Sequence, residues 1–419
     1  MIPKHYLPYS IAFGATLVRY YDYAIFGLSA SVLAKTFLPP STEADQLLGF
    51  FAIFSISVVA RPLGAVVFGI IGDRLGRIVA LKNSTILGLI STGLIAVIPG
   101  YEVAGFAAMI LLTLCRVIFL ASLAGEVDAL RIYIAERVGK KRRNLANGIA
   151  SFCAQSGVLL AAFLYHLMAS IDGMGWLWRL NFLIGAVLGF VIIFFRKYLQ
   201  ENDMYSKSKE RSALEINNSL VAIIKVNKSK FLISTFLSGM LGGIYNFIII
   251  FLGVFESNVV TIISTEEASA NNIMLIATYG VASAVSGFIA DRVNINKQII
   301  TAVVLAMAAT LILQTAIMRQ GFVLEMHIII AAIVPFFTVP MQIKIQSLFS
   351  TATRMRLCSL SHSLGSMLFS STTPFFCMLI WQYTQLFSMV LSFFMLQLAI
   401  TFLVVLFMHR KNFDNMFEA

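Results

Sequence analysis

Charge is what this 419-residue chain has least of, with 12% Asp, Glu, Lys and Arg against 59% apolar residues. Soluble domains carry about 25% charged residues. A water-exposed globular surface is therefore excluded, and a mean hydropathy of +0.86 places the chain in a bilayer. Cysteine is scarce as well. Cys115, Cys153, Cys358 and Cys377 form neither a CxxC pair nor a Cys/His spacing, so they read as packing residues rather than redox or zinc groups. There is no G-x-S-x-G, no P-loop, no HExxH and no cluster with metal-ligand spacing. This excludes the usual hydrolytic nucleophiles and an ATP motor, and no enzyme activity, cofactor or metal is expected. The alternating strands of a membrane barrel are missing too, because segments such as "FLIGAVLGFVIIFF" are apolar on every side.

What the chain does have is apolar runs. A helix needs about 20 such residues to cross a hydrocarbon core of about 30 Å. Cut at its polar interruptions, the chain gives twelve expected spans, roughly 11–34, 47–71, 79–99, 104–135, 145–169, 177–197, 231–255, 271–290, 297–318, 325–349, 357–381 and 386–408. The fourth is long enough to project beyond the membrane. Alternate loops hold 23 of the Lys and Arg residues, whereas the others hold only Lys35 and Arg319. Positive charge favours the cytoplasmic side, so both termini are expected inside. The outer loops carry acids instead, among them Glu43, Asp45, Glu256, Glu266 and Glu267. The net charge of +11 is thus topological. Nucleic acid is not an expected partner, and no basic groove with interleaved aromatics exists. "MIPKHYLPYS" is short and polar, with no small-residue cleavage pattern after the next apolar stretch, so the first span is expected to be retained as an anchor.

The only long polar stretch, 198–230, separates an expected first half, 1–197, from a second, 231–419. Six spans fall on either side. Within the linker, "SALEINNSLVAII" suits either a short amphipathic helix on the inner surface or a basic tether. Secondary transporters of the major facilitator type use such a plan, with substrate held near the midplane.

Between spans two and three the chain reads "FGIIGDRLGRIVA". This G-x-x-G-D-R-x-G-R pattern resembles the cytoplasmic signature of the major facilitator superfamily. Its glycines, Gly69, Gly72 and Gly76, permit a tight turn and close helix approach. The resemblance implies a gate latch of Gly69, Asp73, Arg74, Gly76 and Arg77, with Glu136 at the inner end of span four as the expected partner of Arg77. In the second half, "GFIADRVNINK" keeps Gly287, Asp291 and Arg292 but lacks the terminal G-R. Further along, "YYDYAIFG", "ARPLGAVVFGIIGDRLGR", "AGEVDALRIYIAE", "WLWRLNFLIGA" and "FSTATRMRLCSLSHSLGSMLFSSTTP" are similar to the metabolite:proton symporter branch. That branch includes carriers for proline and betaine, citrate, alpha-ketoglutarate and shikimate. The resemblance implies an all-α polytopic membrane protein with twelve transmembrane helices in two six-helix halves. It also implies a monomer in the bacterial inner membrane that takes up a small anionic or zwitterionic metabolite with protons. The chain departs from the branch at Arg19, where an acid is usual, and at Asp128 and Arg131, where glycines follow the span-four Glu. A sensor or receptor that binds a metabolite without turnover is the alternative.

Charges inside spans carry the chemistry, because each is costly unless it faces a partner or a cavity. Apart from the charges at span ends and those counted with the loops, the cations there are Arg19, Arg61, Arg116, Arg131, Arg179 and Lys344, and the acids are Asp22, Glu126 and Asp128. Arg179 lies near an outer end and snorkels. Arg61, before Pro62, either anchors a kinked span two or serves function. Arg19 shares a face with Asp22, and Asp128 with Arg131, both at i,i+3. These pairs are either structural or part of the transport machinery. With Arg116 as origin, Arg131 falls at about 60°, Asp128 at about 120° and Glu126 at about 280° on span four. Glu126 has no cation nearby on its own helix, and is the preferred proton carrier over Asp22, with Asp128 a third candidate. Arg19, Arg116, Arg131, Tyr245, Asn246, Gln342 and Lys344 are the candidate substrate contacts. The surplus of cations predicts a carboxylate between Arg116 and Lys344. His362, among serines, reads as a packing residue.

Overall fold

The computed structural model describes residues 7–40, 46, 49–50, 53, 57–172, 175–199, 219–260, 263–318 and 322–410. Every regular element among these residues is helical. In chain order the long helices are α1 Leu7–Leu28, α2 Ala60–Arg74, α3 Arg77–Val97, α4 Phe106–Val138, α5 Arg143–Asp172 and α6 Trp178–Phe195. Next come α7, from Lys228–Tyr245 to Leu252–Asn258, α8 Thr265–Ala290 and α9 Ile295–Met318. The series ends with α10, from Val323–Ile333 to Pro335–Ser347, α11, from Arg354–Gly365 to Thr373–Thr384, and α12 Phe387–Arg410. Ten helices among the described residues are long and apolar enough to cross a membrane. Together with α1 and the described part of α2, they follow the expected order of twelve. The start of span two and most of the polar linker lie outside the described residues. The end of "SALEINNSLVAII" enters a short helix, Leu220–Val226, where Ser219 Oγ accepts the Ala222 amide at 3.3 Å.

The chain folds into two compact units. The first comprises 1–134 and 153–217, and the second 135–152 and 218–419. The turn from α4 to α5 thus groups with the second unit, although it lies in the first half of the sequence.

Lipid is as apolar as leucine, so helices in a bilayer associate through close packing rather than water exclusion. Glycines provide that closeness here. A Cβ on Gly64 would stand 2.0 Å from the carbonyl oxygen of Ala121, and one on Gly157 would stand 2.2 Å from that of Leu17. In the second unit, a Cβ on Gly148 would meet the Ser283 oxygen at 2.4 Å, and one on Gly287 the Asn144 oxygen at 2.2 Å. This reciprocal pair sets α5 against α8. Gly76 enables the α2–α3 turn, since its φ of 123° is closed to side chains. The first unit also has an aromatic core, in which Phe26 stacks on Phe50 at 5.0 Å and Trp178 meets Phe182 edge-on at 5.9 Å.

Three helices of the second unit are interrupted. α7 passes through a π-helical turn at Asn246–Phe251 and α11 through another at Ser366–Ser370. Asn246 Nδ2 joins the two turns, donating to the Ser370 carbonyl at 2.8 Å and to its Oγ at 3.1 Å. α10 breaks at Val334–Pro335 and carries Pro340 inside its second segment. Proline has no N–H, so Pro340 cannot serve the carbonyl of Phe336 four residues back. Gln298 Nε2 serves it instead at 3.1 Å.

Candidate functional site

The first unit contains a buried cluster of four charged side chains from two helices and a helix end. Arg19 of α1 donates Nε to Glu126 Oε2, and Arg196, in the turn that closes α6, donates Nη2 to Glu126 Oε1. Thr85 of α3 adds its hydroxyl to the same Oε1 at 2.7 Å. Arg19 Nη2 also donates to the Ser84 carbonyl at 2.9 Å and to Ser122 Oγ at 3.3 Å. The second carboxylate, Asp22, lies one helical turn from Arg19, with Oδ2 3.9 Å from Nη1. Its Oδ1 has no hydrogen-bond partner among the described residues. All four side chains are buried.

Two glycines leave room for this chemistry. A Cβ on Gly88 would stand 2.0 Å from Arg19 Nη1, and one on Gly185 would stand 2.1 Å from Asp22 Oδ1. Beside the charges is a cavity of about 10 Å³ lined by Arg19, Asp22, Thr85, Leu89, Glu126 and Ile192, among others. That is room for about one water molecule and not for a metabolite. With both carboxylates ionised the four charges sum to zero. A proton on Asp22 would leave one positive charge in surplus.

Two expectations are corrected here. Glu126 is not a carboxylate without a nearby cation; it binds two guanidinium groups, supplied by α1 and by the end of α6. A helical wheel drawn on α4 alone cannot reveal partners from other helices. Arg196, counted among the inner-loop cations, is fully buried instead. Its position just past a strongly apolar run was the available signal, because an arginine there can reach back toward the membrane interior.

The other candidates of the first unit fall elsewhere. Arg116 is 1% exposed and packs over Phe26, Phe119 and Tyr23, with its guanidinium carbon 4.0, 5.2 and 5.4 Å from the ring centroids. Arg131 donates to the Tyr20 hydroxyl at 3.5 Å, and Asp128 is buried on the same helix. Arg179 donates to the carbonyls of Ala96 and Ile98 at 2.7 and 2.9 Å, fitting its position near a helix end. Asp73 and Arg77 form a fully buried ion pair across the α2–α3 turn, and Arg77 also donates to the Gly72 carbonyl at 3.2 Å.

In the second unit, Asp291 receives the Asn144 amide at 3.0 Å, the Leu145 amide at 2.9 Å and Asn144 Nδ2 at 2.9 Å. A carboxylate thereby occupies the positive end of α5. Arg292 bonds the Phe288 carbonyl and covers its ring. Glu136 accepts from Arg354 at 2.7 Å. Arg354 and Arg143 play parallel parts, each donating Nε to the carbonyl eight positions earlier, at 3.1 Å to Gln346 and at 3.0 Å to Ala135. Gln342 accepts from Asn147 at 3.1 Å, Lys344 donates to Asn296, and Tyr245 meets Tyr279 edge-on at 5.2 Å. Glu256, expected in an outer loop, is buried within the last segment of α7 and faces His327. Sequence reasoning assigned no role to Arg196, Arg143, Arg354 or His327.

The Major Facilitator Superfamily model matches residues 12–369, from within α1 to the π-helical turn of α11. The "Proline/betaine transporter" of Escherichia coli K12 is 30% identical over 198 residues, covering 46% of this chain and 40% of that protein. The "Glycine betaine/proline/ectoine/pipecolic acid transporter OusA" of Dickeya dadantii is 31% identical over 198 residues, with the same 46% and 40% coverage. These matches span less than half of each relative. Among solved structures, the proton:xylose symporter XylE bound to 6-bromo-6-deoxy-D-glucose has a TM-score of 0.78 at 16% identity, covering 97% of this chain and 95% of that one. The transporter FucP in its outward conformation gives 0.71 at 13% identity, covering 97% and 99%. Such identities show the fold alone. Since the family model covers all but the two ends, and the helices form the same fold as these structures, the chain belongs to the major facilitator superfamily.

Proposed function

We propose that this chain is a proton-coupled secondary transporter that takes up a small zwitterionic or anionic metabolite of the proline, betaine or carboxylate kind across a bacterial inner membrane. Both termini face the cytoplasm in this reading, and the protein works as a monomer. The observation that carries it is the Asp22 carboxylate, which has one oxygen without a hydrogen-bond partner among the described residues, beside a cavity of water size. Asp22 replaces Glu126 as the proposed proton carrier. Glu126 is held by two guanidinium groups and a hydroxyl, partners it would have to release before exchanging a proton. Its role is to hold Arg19 and Arg196. Protonation of Asp22 adds one positive charge to a balanced cluster, and a substrate carboxylate entering the transport path offsets it. This links the two binding events by charge.

Arg116, Arg131, Tyr245, Asn246, Gln342 and Lys344 remain the proposed substrate contacts, reached when their present partners exchange for substrate. Asp73, Arg77, Glu136 and Asp291 are the proposed inner-gate groups, and the two halves of the sequence supply the moving parts. The relatives named for proline and betaine transport support the substrate class.

The test is uptake of radiolabelled proline and glycine betaine into proteoliposomes under an imposed pH gradient. Gradient-driven accumulation is expected for the wild type. Asp22→Asn should lose accumulation while retaining counterflow, because exchange needs no net proton movement. Binding without counterflow in the wild type would instead establish the receptor reading.

A further inference from the structure

We infer that Glu256 and His327 form a second proton-binding site, one that clips the outer segments of α7 and α10 within the second unit. Glu256 Oε1 lies 3.3 Å from His327 Nε2, within ion-pair distance although neither atom has a hydrogen-bond partner among the described residues, and the two residues are 2% and 4% exposed. Each belongs to a segment set apart from the rest of its helix. Glu256 sits in Leu252–Asn258, beyond the π-helical turn of α7, and His327 sits in Val323–Ile333, ahead of the Val334–Pro335 break in α10. Both interruptions are places where a helix can bend. The pair is thus a contact between two segments able to move relative to the helices that carry them.

Its chemistry follows from proton count. With one proton between them, the groups are either neutral imidazole and carboxylic acid or imidazolium and carboxylate, and the net charge is zero. A second proton, or the loss of the first, leaves a net charge in a place closed to water, which is costly. The pair therefore holds one proton while the segments are together, and exchanges it once they part and water enters. The two groups titrate as a unit rather than singly.

Other ionisable groups on the surrounding elements are engaged or placed elsewhere. On α8, Glu267 closes the capping box with Ser264, Tyr279 bonds Thr338, and Asp291 caps α5. Tyr245 of α7 packs on Tyr279. Lys297 lies in the first turn of α9, Lys344 of α10 bonds Asn296, and Glu325 is exposed two positions before His327. On the second segment of α11, Thr373–Thr384, the groups are Cys377, which is buried, and Tyr383, which is exposed, while Arg354, Arg356, Cys358 and His362 belong to its first segment; on α12 they are His409 and Arg410 at its last turn. Phe255, next to Glu256, is enclosed by Trp381 and Phe387, each 5.2 Å away between ring centroids. Among the described residues, no other ion pair reaches Glu256 or His327.

The experiment is a pH titration of the full-length protein in lipid nanodiscs with ¹⁵N-labelled histidine, followed by imidazole NMR. The chain has five histidines. The His327 signal is the one lost in His327→Gln, or, should that variant fail to fold, the one that survives substitution of each of the other four in turn. The expected result is that Glu256→Gln moves the His327 midpoint by about one pH unit or more while leaving His166 unmoved. Trp381 fluorescence should follow the same midpoint in the wild type and lose that transition in Glu256→Gln. An unchanged His327 midpoint in Glu256→Gln, or a His327 that does not titrate in either protein, overturns the proposal. Because the measurement reads proton binding without any metabolite, its failure leaves the transport reading intact. A wild type that titrates as expected but transports nothing would have the opposite meaning.

Discussion

Arg196 donates its Nη2 to Glu126 Oε1 across 70 positions of sequence, tying the C-terminal end of α6 to the middle of α4 inside the first unit. Arg196 also donates to the Leu81 carbonyl, so one guanidinium joins α6, α4 and α3. A group with this many fixed partners is suited to holding helices. The neighbouring carboxylate of Asp22, with one oxygen unbonded among the described residues, is suited to exchanging a proton.

The first prediction separates these roles by stability. Removing one member of a buried charge pair leaves the other uncompensated, which costs roughly 3–5 kcal/mol. Glu126→Gln and Arg196→Ala should each lower the melting temperature of the purified protein markedly. Asp22→Asn should lower it less, since the Asp22 carboxylate is held by the 3.9 Å contact with Arg19 rather than by a close ion pair. A normal melting temperature for Glu126→Gln would remove its proposed holding role.

The second concerns coupling within the cluster. In a double-mutant cycle of Glu126→Gln and Arg196→Ala, the two effects should fall short of additivity by about 0.5–3 kcal/mol, as is usual for residues in one network. Additive losses would mean that the two side chains do not depend on one another.

The third concerns space beside the charges. Gly185→Ala would place a methyl group where Asp22 Oδ1 now lies, and overpacking of this kind typically costs about 1–3 kcal/mol. Proton-driven accumulation should fall more than counterflow, because the displaced group is the proposed proton carrier. Gly93→Ala serves as a control: its Cβ would lie 3.4 Å from the Ala186 side chain, and it should behave as the wild type.

The fourth concerns the proposed inner face. Asp291→Asn keeps the shape but loses the negative charge that receives the Asn144 and Leu145 amides at the positive end of α5, an interaction usually worth about 0.3–1 kcal/mol. In a cysteine-free background carrying Leu145→Cys, Asp291→Asn should increase labelling by a thiol reagent presented from the cytoplasmic side. Equal labelling with and without Asp291→Asn would show that the cap does not control access.

The sequence by itself determined that the protein lies in a membrane, how many helices it forms and in what order, and which turn carries the signature glycines. Each of those follows from local properties: the length of an apolar run or the freedom of Gly76 to take a positive φ. It also placed Arg19 and Asp22 on one face, because i,i+3 neighbours are set by a single helix. Only the tertiary structure decided that Glu126 holds Arg19 and Arg196, that Asp291 caps α5, and that Glu256 meets His327. These contacts join helices far apart in sequence. Their geometry depends on rotation and depth in the bundle, which apolar runs facing lipid leave unspecified and which glycine contacts such as Gly64 on Ala121 and Gly157 on Leu17 help to fix.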